Sequence, residues 1–286
     1  MLEFGKIKNI ITIIGAIIVI ISIIVITKFN YNEYHYNRLI KAINENNMKS
    51  FSKELKQVKN LNITPSNNII VFFGDRFDET PLQAACYVGN LNMVKKLIDH
   101  GADPNYVVNK VAPVSPLMCV VEGDQDHPDK EYVEIAKYLI IIGADVNYRM
   151  NEDGAVGVTA LFQIVDCKKP SPNAREMIRL LCNNGANIND LTPYGTVLHC
   201  TCLYGHNDLI RFIIRNYQVD LNIQQPDSGM TCLMYYCKSN DNEEIVKELL
   251  DAGADPLITD NVGKTAYDYA YKEGNMKIVS TLSLYN

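Results

Sequence analysis

The hydrophobic pattern is least even at its start. Between Lys8 and Lys28 nineteen consecutive residues carry no charge, and Ile10 to Thr27 alone holds eleven Ile and two Val. At about 1.5 Å rise per residue a helix over this run spans roughly 28 Å, close to a bilayer hydrocarbon thickness of about 30 Å, and Ile and Val favour insertion. The pattern predicts an uncleaved transmembrane helix over 9–28 behind a short tail at 1–8. A secretory signal expects an apolar run of about 7 to 15 residues and a small-x-small cleavage site. Val25-Ile26-Thr27-Lys28-Phe29 offers no such site, and no Cys follows closely enough to carry a lipid. From residue 78 onward the pattern becomes short and helical, with apolar positions at Leu91, Val94, Leu97 and Ile98, again at Val133, Ala136, Leu139 and Ile140, at Leu209, Phe212 and Ile213, and at Ile245, Leu249 and Leu250.

Those faces recur in phase with two other markers. The first is Thr80-Pro81-Leu82-Gln83, Ser115-Pro116-Leu117-Met118, Thr159-Ala160-Leu161-Phe162, Thr196-Val197-Leu198-His199, Thr231-Cys232-Leu233-Met234 and Thr265-Ala266-Tyr267-Asp268, with starts 35, 44, 37, 35 and 34 residues apart. Thr or Ser is a suitable N-cap, and Pro at the next position has a preset backbone angle and lacks an amide hydrogen the helix does not need there. The second is Gly101-Ala102-Asp103-Pro104-Asn105, Gly143-Ala144-Asp145-Val146-Asn147, Gly185-Ala186-Asn187-Ile188-Asn189, Val219-Asp220-Leu221-Asn222 and Gly253-Ala254-Asp255-Pro256. Here Gly fits the left-handed position that ends a helix, and Asp-x-Asn opens a turn toward the next unit.

Six units in phase resemble the ankyrin-repeat family, whose unit of about 33 residues runs through T-P-L-H, a short helix, G-H or G-N, an apolar helix and G-A-D-x-N. The resemblance covers 78–286, about six repeats. It implies an all-α solenoid of helix-turn-helix units joined by β-hairpin loops, here preceded by a single transmembrane helix. Residues 29–77 read as a degenerate capping helix pair, Tyr34 to Asn60, and a connection from Leu61 to Phe77. Aligning Ala42 with Ala85 sets Asn47 on Asn90, Met48 on Leu91, Phe51 on Val94 and Leu55 on Ile98. Longer spacing locates insertions at Asp124 to Lys130 and Lys168 to Asn173. The family's His survives only at His199, and the fourth unit lacks Gly-Ala.

Charge narrows the function. Residues 29–286 carry 24 basic and 32 acidic side chains, the wrong sign for a nucleic-acid partner that works by counterion release. No cofactor fingerprint, nucleophile elbow or paired-His helix occurs, and Gly263-Lys264-Thr265 lacks the earlier Gly of a phosphate loop, having Ile258 there. His199, Cys200, Cys202 and His206 are the one combination that resembles soft metal ligands. Two of them occupy the family's own His positions, and Cys202 stands where the family buries an Ala, so a structural role is the simpler reading and an enzyme or metal-binding role the weakest alternative. Asn62-Ile63-Thr64 has the form of a glycosylation acceptor.

What remains is a surface. In the family, partners contact the hairpin tips and the ends of the first helices. Carried over position by position, this implies Phe77, Glu79, Tyr87, Val88, Leu203, Tyr204 and Met230, with Tyr106, Tyr148, Arg149, Tyr194 and Asn261 at hairpin tips. The expected partners are another protein and, through 9–28, the lipid bilayer, with no cofactor, no small-molecule substrate and no catalysis. The expectation is therefore a membrane-anchored protein-protein interaction module, in a narrower form an immunity or inhibitor protein that binds a membrane-acting toxin. The rival is a structural or regulatory scaffold subunit of a membrane assembly, for which Gly15, Ala16 and Ser22 would permit close helix packing. The short tail favours the repeats on the outer side of the membrane, while eight Cys without framework spacing point toward the cytoplasm.

Overall fold

The computed structural model describes residues 17–18, 21–22, 31–62, 79–107, 113–150 and 157–285. The predicted span at 9–28 lies outside the described residues except for four positions, as do the tail at 1–8 and Phe77. Among the described residues no helix is long and apolar enough to cross a membrane.

Helices come in pairs. An N-terminal pair, α1 (31–44) and α2 (Met48–Leu55), precedes six units: α3 (Pro81–Val88) with α4 (Leu91–Asp99), α5 (Pro116–Asp126) with α6 (Tyr132–Ile141), α7 (Ala160–Gln163) with α8 (Ala174–Asn183), α9 (Val197–Tyr204) with α10 (Asn207–Asn216), α11 (Cys232–Ser239) with α12 (Glu243–Asp251), and α13 (Ala266–Lys272) with α14 (Met276–Leu282). First helices pack on first helices, as α3 on α5 and α9 on α11, and second helices form the other layer, as α4 on α6 and α10 on α12. A single apolar core runs the length of the stack from Leu39 and Phe51 to Val279 and Leu282.

The caps act as their residue types require. Thr80 Oγ1 accepts from the Gln83 N–H (3.2 Å) while Gln83 Oε1 accepts from the Thr80 N–H (2.7 Å), and Ser115, Thr159, Thr231 and Thr265 cap the equivalent helices. The N-terminal pair repeats this chemistry in disguise. Asn47 caps α2 as Asn90 caps α4, and Asn46, at φ 51°, takes the left-handed turn that Gly89 makes in the next unit.

The Asp-x-Asn signature does more than open a turn. Asp103 Oδ1 accepts from the Asn105 N–H (2.8 Å), and Asn105 then reaches across to the next unit: its Nδ2 donates to Gly143 O and its Oδ1 accepts from the Asp145 N–H, both at 2.8 Å. Asn62, Asn189 and Asn222 make the same double bond to Gly101 and Asp103, to Gln218 and Asp220, and to Gly253 and Asp255, and Asn147 donates to Gly185 O. Five asparagines thus stitch the stack through backbone groups, which is why the fourth unit tolerates Gln218 where others have Gly. The ladder stops at Leu257, which has no such side chain.

Two expectations change. Leu61 and Asn62 belong to the end of the N-terminal pair rather than to a connection: Leu61 is buried in the common core and Asn62 is the first rung of the ladder. Its side-chain nitrogen is already engaged, so the glycosylation reading conflicts with the packing. The fully described hairpin loops are tight turns, with Thr192 paired to Gly195 and Asp260 N–H bonded to Lys264 O at 2.9 Å, and no extended strand forms among the described residues. Loops this short close a turn before a ladder can grow.

Candidate functional site

The His and Cys residues of the fourth unit sit close in sequence but face different neighbours. Thr196 N–H donates to His199 Nδ1 (3.1 Å), and His199 Nε2 lies 3.2 Å from Met230 O in the following unit. A carbonyl only accepts, so Nε2 carries the proton and Nδ1 is bare; the ring is neutral. Burial pushes its pKa down to about 4. His206 Nε2 donates instead to Cys167 O (2.8 Å), and burial lowers its pKa too. Cys200 Sγ points at Val165 O, and Cys202 is fully buried, its thiol pushed well up by burial. His199, His206 and Cys200 each reach a different backbone carbonyl and Cys202 faces Cys232 of the following unit, and among the described residues no group of three or more His, Cys, Asp or Glu gathers as a metal site. Gln83 replaces His199 in the first unit, donating to Val114 O at 2.6 Å. The position therefore links consecutive units.

The surface positions divide into three kinds. Tyr194 is 62% exposed, and Leu203 and Tyr204 are 38% and 37% exposed. These three lie before and at the end of α9, about 12 Å of helix apart at 1.5 Å per residue. A second kind is held by neighbours. Tyr87 Oη donates to Asp126 Oδ2 (2.7 Å), Val88 O accepts from Lys130 Nζ (2.7 Å), and Tyr148 Oη donates to Pro113 O (2.9 Å). Arg149 pairs with Asp190, Glu79 O accepts from Tyr36 Oη (3.2 Å), and Asn261 Nδ2 donates to Asp227 O (2.9 Å). Tyr106 is half-buried.

The third kind is a correction. Met230 is 4% exposed and offers no side-chain surface, because its side chain is part of the apolar core, while its carbonyl accepts from His199 and the Gln225 N–H. The expectation overlooked Leu191 and Val262, exposed apolar side chains on the turns of the fourth and sixth units, Val262 at 74%. Their signal was an apolar residue at a turn tip, where a solvated loop has no use for one.

Comparison with known proteins agrees with this geometry. The family profile described as Ankyrin repeats matches three times, over residues 39–150, 117–225 and 198–286. The chain belongs to the ankyrin-repeat family. The first match begins inside α1, so the N-terminal pair shares the repeat's character. A crystal structure of EF0377, an ankyrin repeat protein, is 25% identical and superposes with a TM-score of 0.59 over 72% of this chain and 97% of that one. Alpha-latrocrustotoxin-Lt1a of Latrodectus tredecimguttatus is 22% identical over 65% of this chain, and an ankyrin repeat protein of fowlpox virus 29% identical over 54%. The chain spans 13% and 44% of the length of those two relatives. Ankyrin repeats mark a protein-protein interaction module, typically a non-catalytic scaffold.

Proposed function

We propose that this ankyrin-repeat protein is tethered to a membrane by residues 9–28 and holds a partner protein at the bilayer surface. The observation that carries the reading is the union in one chain of nineteen uncharged residues and a repeat array with open side chains at Tyr194, Leu203, Tyr204, Leu191 and Val262. Tethering confines the array to a thin layer and raises its effective concentration toward partners there. The partner is a protein: the array is net acidic, which repels nucleic acid. The proposal sets the array on the outer side of the membrane. A membrane-impermeant thiol reagent applied to intact cells tests this on a Val262→Cys variant; an unlabelled Cys places the array inside.

In its narrower form the proposal makes the protein an immunity factor that neutralises a membrane-acting toxin such as a phospholipase, a reading supported by the tether and by family analogy. Co-expression with candidate toxins is the test, and it fails if none is bound or neutralised. Replacing 9–28 with an unrelated apolar helix separates tether from assembly subunit: retained partner capture at the membrane supports the tether, and lost capture supports a span that packs with other helices.

A further inference from the structure

The charge of this protein is divided between its two ends. Residues 31–62 hold six Lys or Arg and three Glu, whereas 63–286 hold 18 basic and 29 acidic side chains. Within the N-terminal pair two of the three acids are already engaged: Glu45 with Lys41, and the buried Glu54 with His35 and Arg38. Among the described residues no carboxylate pairs with Lys49, Lys53, Lys56 or Lys59, and all four are exposed. At 3.6 residues per turn, Lys49, Lys53 and Lys56 fall within a stripe about 60° wide on α2. Lys96 of α4 adjoins that stripe, its Nζ 3.5 Å from Ser52 Oγ.

The stripe has a definite place relative to the apolar run. Tyr31 Oη donates to Gln57 Oε1 at 2.9 Å, so the C-terminal end of α2 sits beside Tyr31 of α1. Tyr31 is three residues after Lys28, a separation of at most about 11 Å along the chain. Lys53, Lys56 and Lys59 therefore lie at the end of the stack nearest the apolar run. Tyr31 and Tyr34, both more than half exposed, lie at the same end, and Tyr favours the boundary between headgroup and hydrocarbon.

We propose that Lys53, Lys56 and Lys59, with Tyr31 and Tyr34, form a collar that docks on the anionic lipid headgroups of the bilayer entered by residues 9–28. The inference rests on the tether reading. The collar is attracted to a surface carrying negative charge, and the acidic units behind it are repelled by the same surface. The stack thus stands with its N-terminal end down and the Tyr194 to Tyr204 surface away from the lipid.

The test uses the full chain mixed with vesicles of phosphatidylcholine alone or with added phosphatidylglycerol. Flotation is measured first, then acylation of each lysine by a water-soluble N-hydroxysuccinimide ester, read by peptide mass spectrometry. The expected result is flotation with both vesicles, and labelling of Lys53, Lys56 and Lys59 slowed roughly fivefold in the anionic vesicles only. The slowing disappears at high salt, and Lys272 and Lys277 at the far end keep one rate throughout. Flotation with both vesicles and equal labelling overturns the collar while the tether stands. Flotation with anionic vesicles alone overturns the tether and, with it, a collar docked on a bilayer that residues 9–28 enter. Flotation with neither overturns both.

Discussion

Replacing His199 by Gln isolates the contribution of one buried imidazole to the pH dependence of folding. His199 is neutral in the fold, with its pKa lowered by burial to about 4, against about 6.5 in an unfolded chain. Between those values the unfolded chain binds a proton that the folded one refuses. The stabilisation is therefore complete above about pH 6.5 and is lost as pH falls through 4. The whole difference corresponds to roughly 3 kcal/mol, of which about 2 kcal/mol is lost between pH 7.5 and 5. Gln is the informative substitute because Gln83 already performs both tasks in the first unit, accepting from the cap N–H and donating to the next unit's carbonyl. Urea unfolding followed by far-UV circular dichroism, at pH 7.5 and 5, gives four stabilities. The expected outcome is a variant within about 1 kcal/mol of the parent at pH 7.5 that loses about 2 kcal/mol less on acidification. Carboxylates and His206 titrate in both proteins and cancel in the comparison. Equal acid losses in the two proteins refute the assignment, and a large loss at pH 7.5 refutes the equivalence with Gln83.

Asn105→Ala removes both bonds from the first unit to the second and is expected to cost about 1 to 3 kcal/mol, with faster hydrogen exchange near Gly143, whereas exposed Asn92→Ala stays within about 0.5 kcal/mol. Gly195→Ala destabilises: φ is +104°, and an added Cβ would lie 2.8 Å from the His199 side chain, so thermal unfolding of the variant falls below that of the parent. A thiol reagent added to the native protein labels only Cys167 and Cys182, both partly exposed, and labels all eight thiols after denaturation. Cys182 reacts slowly because burial lifts its pKa to about 11, and rapid labelling of Cys202 or Cys237 contradicts the packing. Triple replacement of Tyr194, Leu203 and Tyr204 by Ala keeps the far-UV circular dichroism spectrum of the parent and abolishes partner capture; undiminished capture moves the site elsewhere.

The helix pairs were legible because each marker depends on local chemistry. A Thr caps the helix that follows it, and an apolar face repeats every three or four residues whatever lies opposite. Relationships between units were not legible. Asn105 looks like a turn residue, and its bond to Gly143 is 38 positions away. Tyr87 and Tyr148 look like contact residues because Tyr is common at interfaces, yet Asp126 and Pro113 of neighbouring segments already take their hydroxyls. Met230 looks exposed by position, yet its side chain packs into the apolar core shared by the units.

These failures share a cause that helps define the functional surface. In a stack of similar units, each polar side chain near a seam has a neighbour one repeat away, so most polar positions are used within the array. What can vary without weakening the stack is the remainder: side chains at turn tips and first-helix ends whose bonds do not cross a seam. Leu191, Tyr194, Leu203 and Val262 meet that condition, and Asn261 does not, because it bonds to Asp227 O and to Ser228 O. The same reasoning applies to the N-terminal lysines. Lys96 meets Ser52 across a seam, whereas Lys53, Lys56 and Lys59 are exposed and no carboxylate of a neighbouring unit pairs with them among the described residues. A position that the array does not use for itself is where selection for an external contact acts most freely, and the two sets of such positions lie at different places along the stack. One set is apolar and aromatic and suits a protein; the other is cationic and suits a headgroup layer.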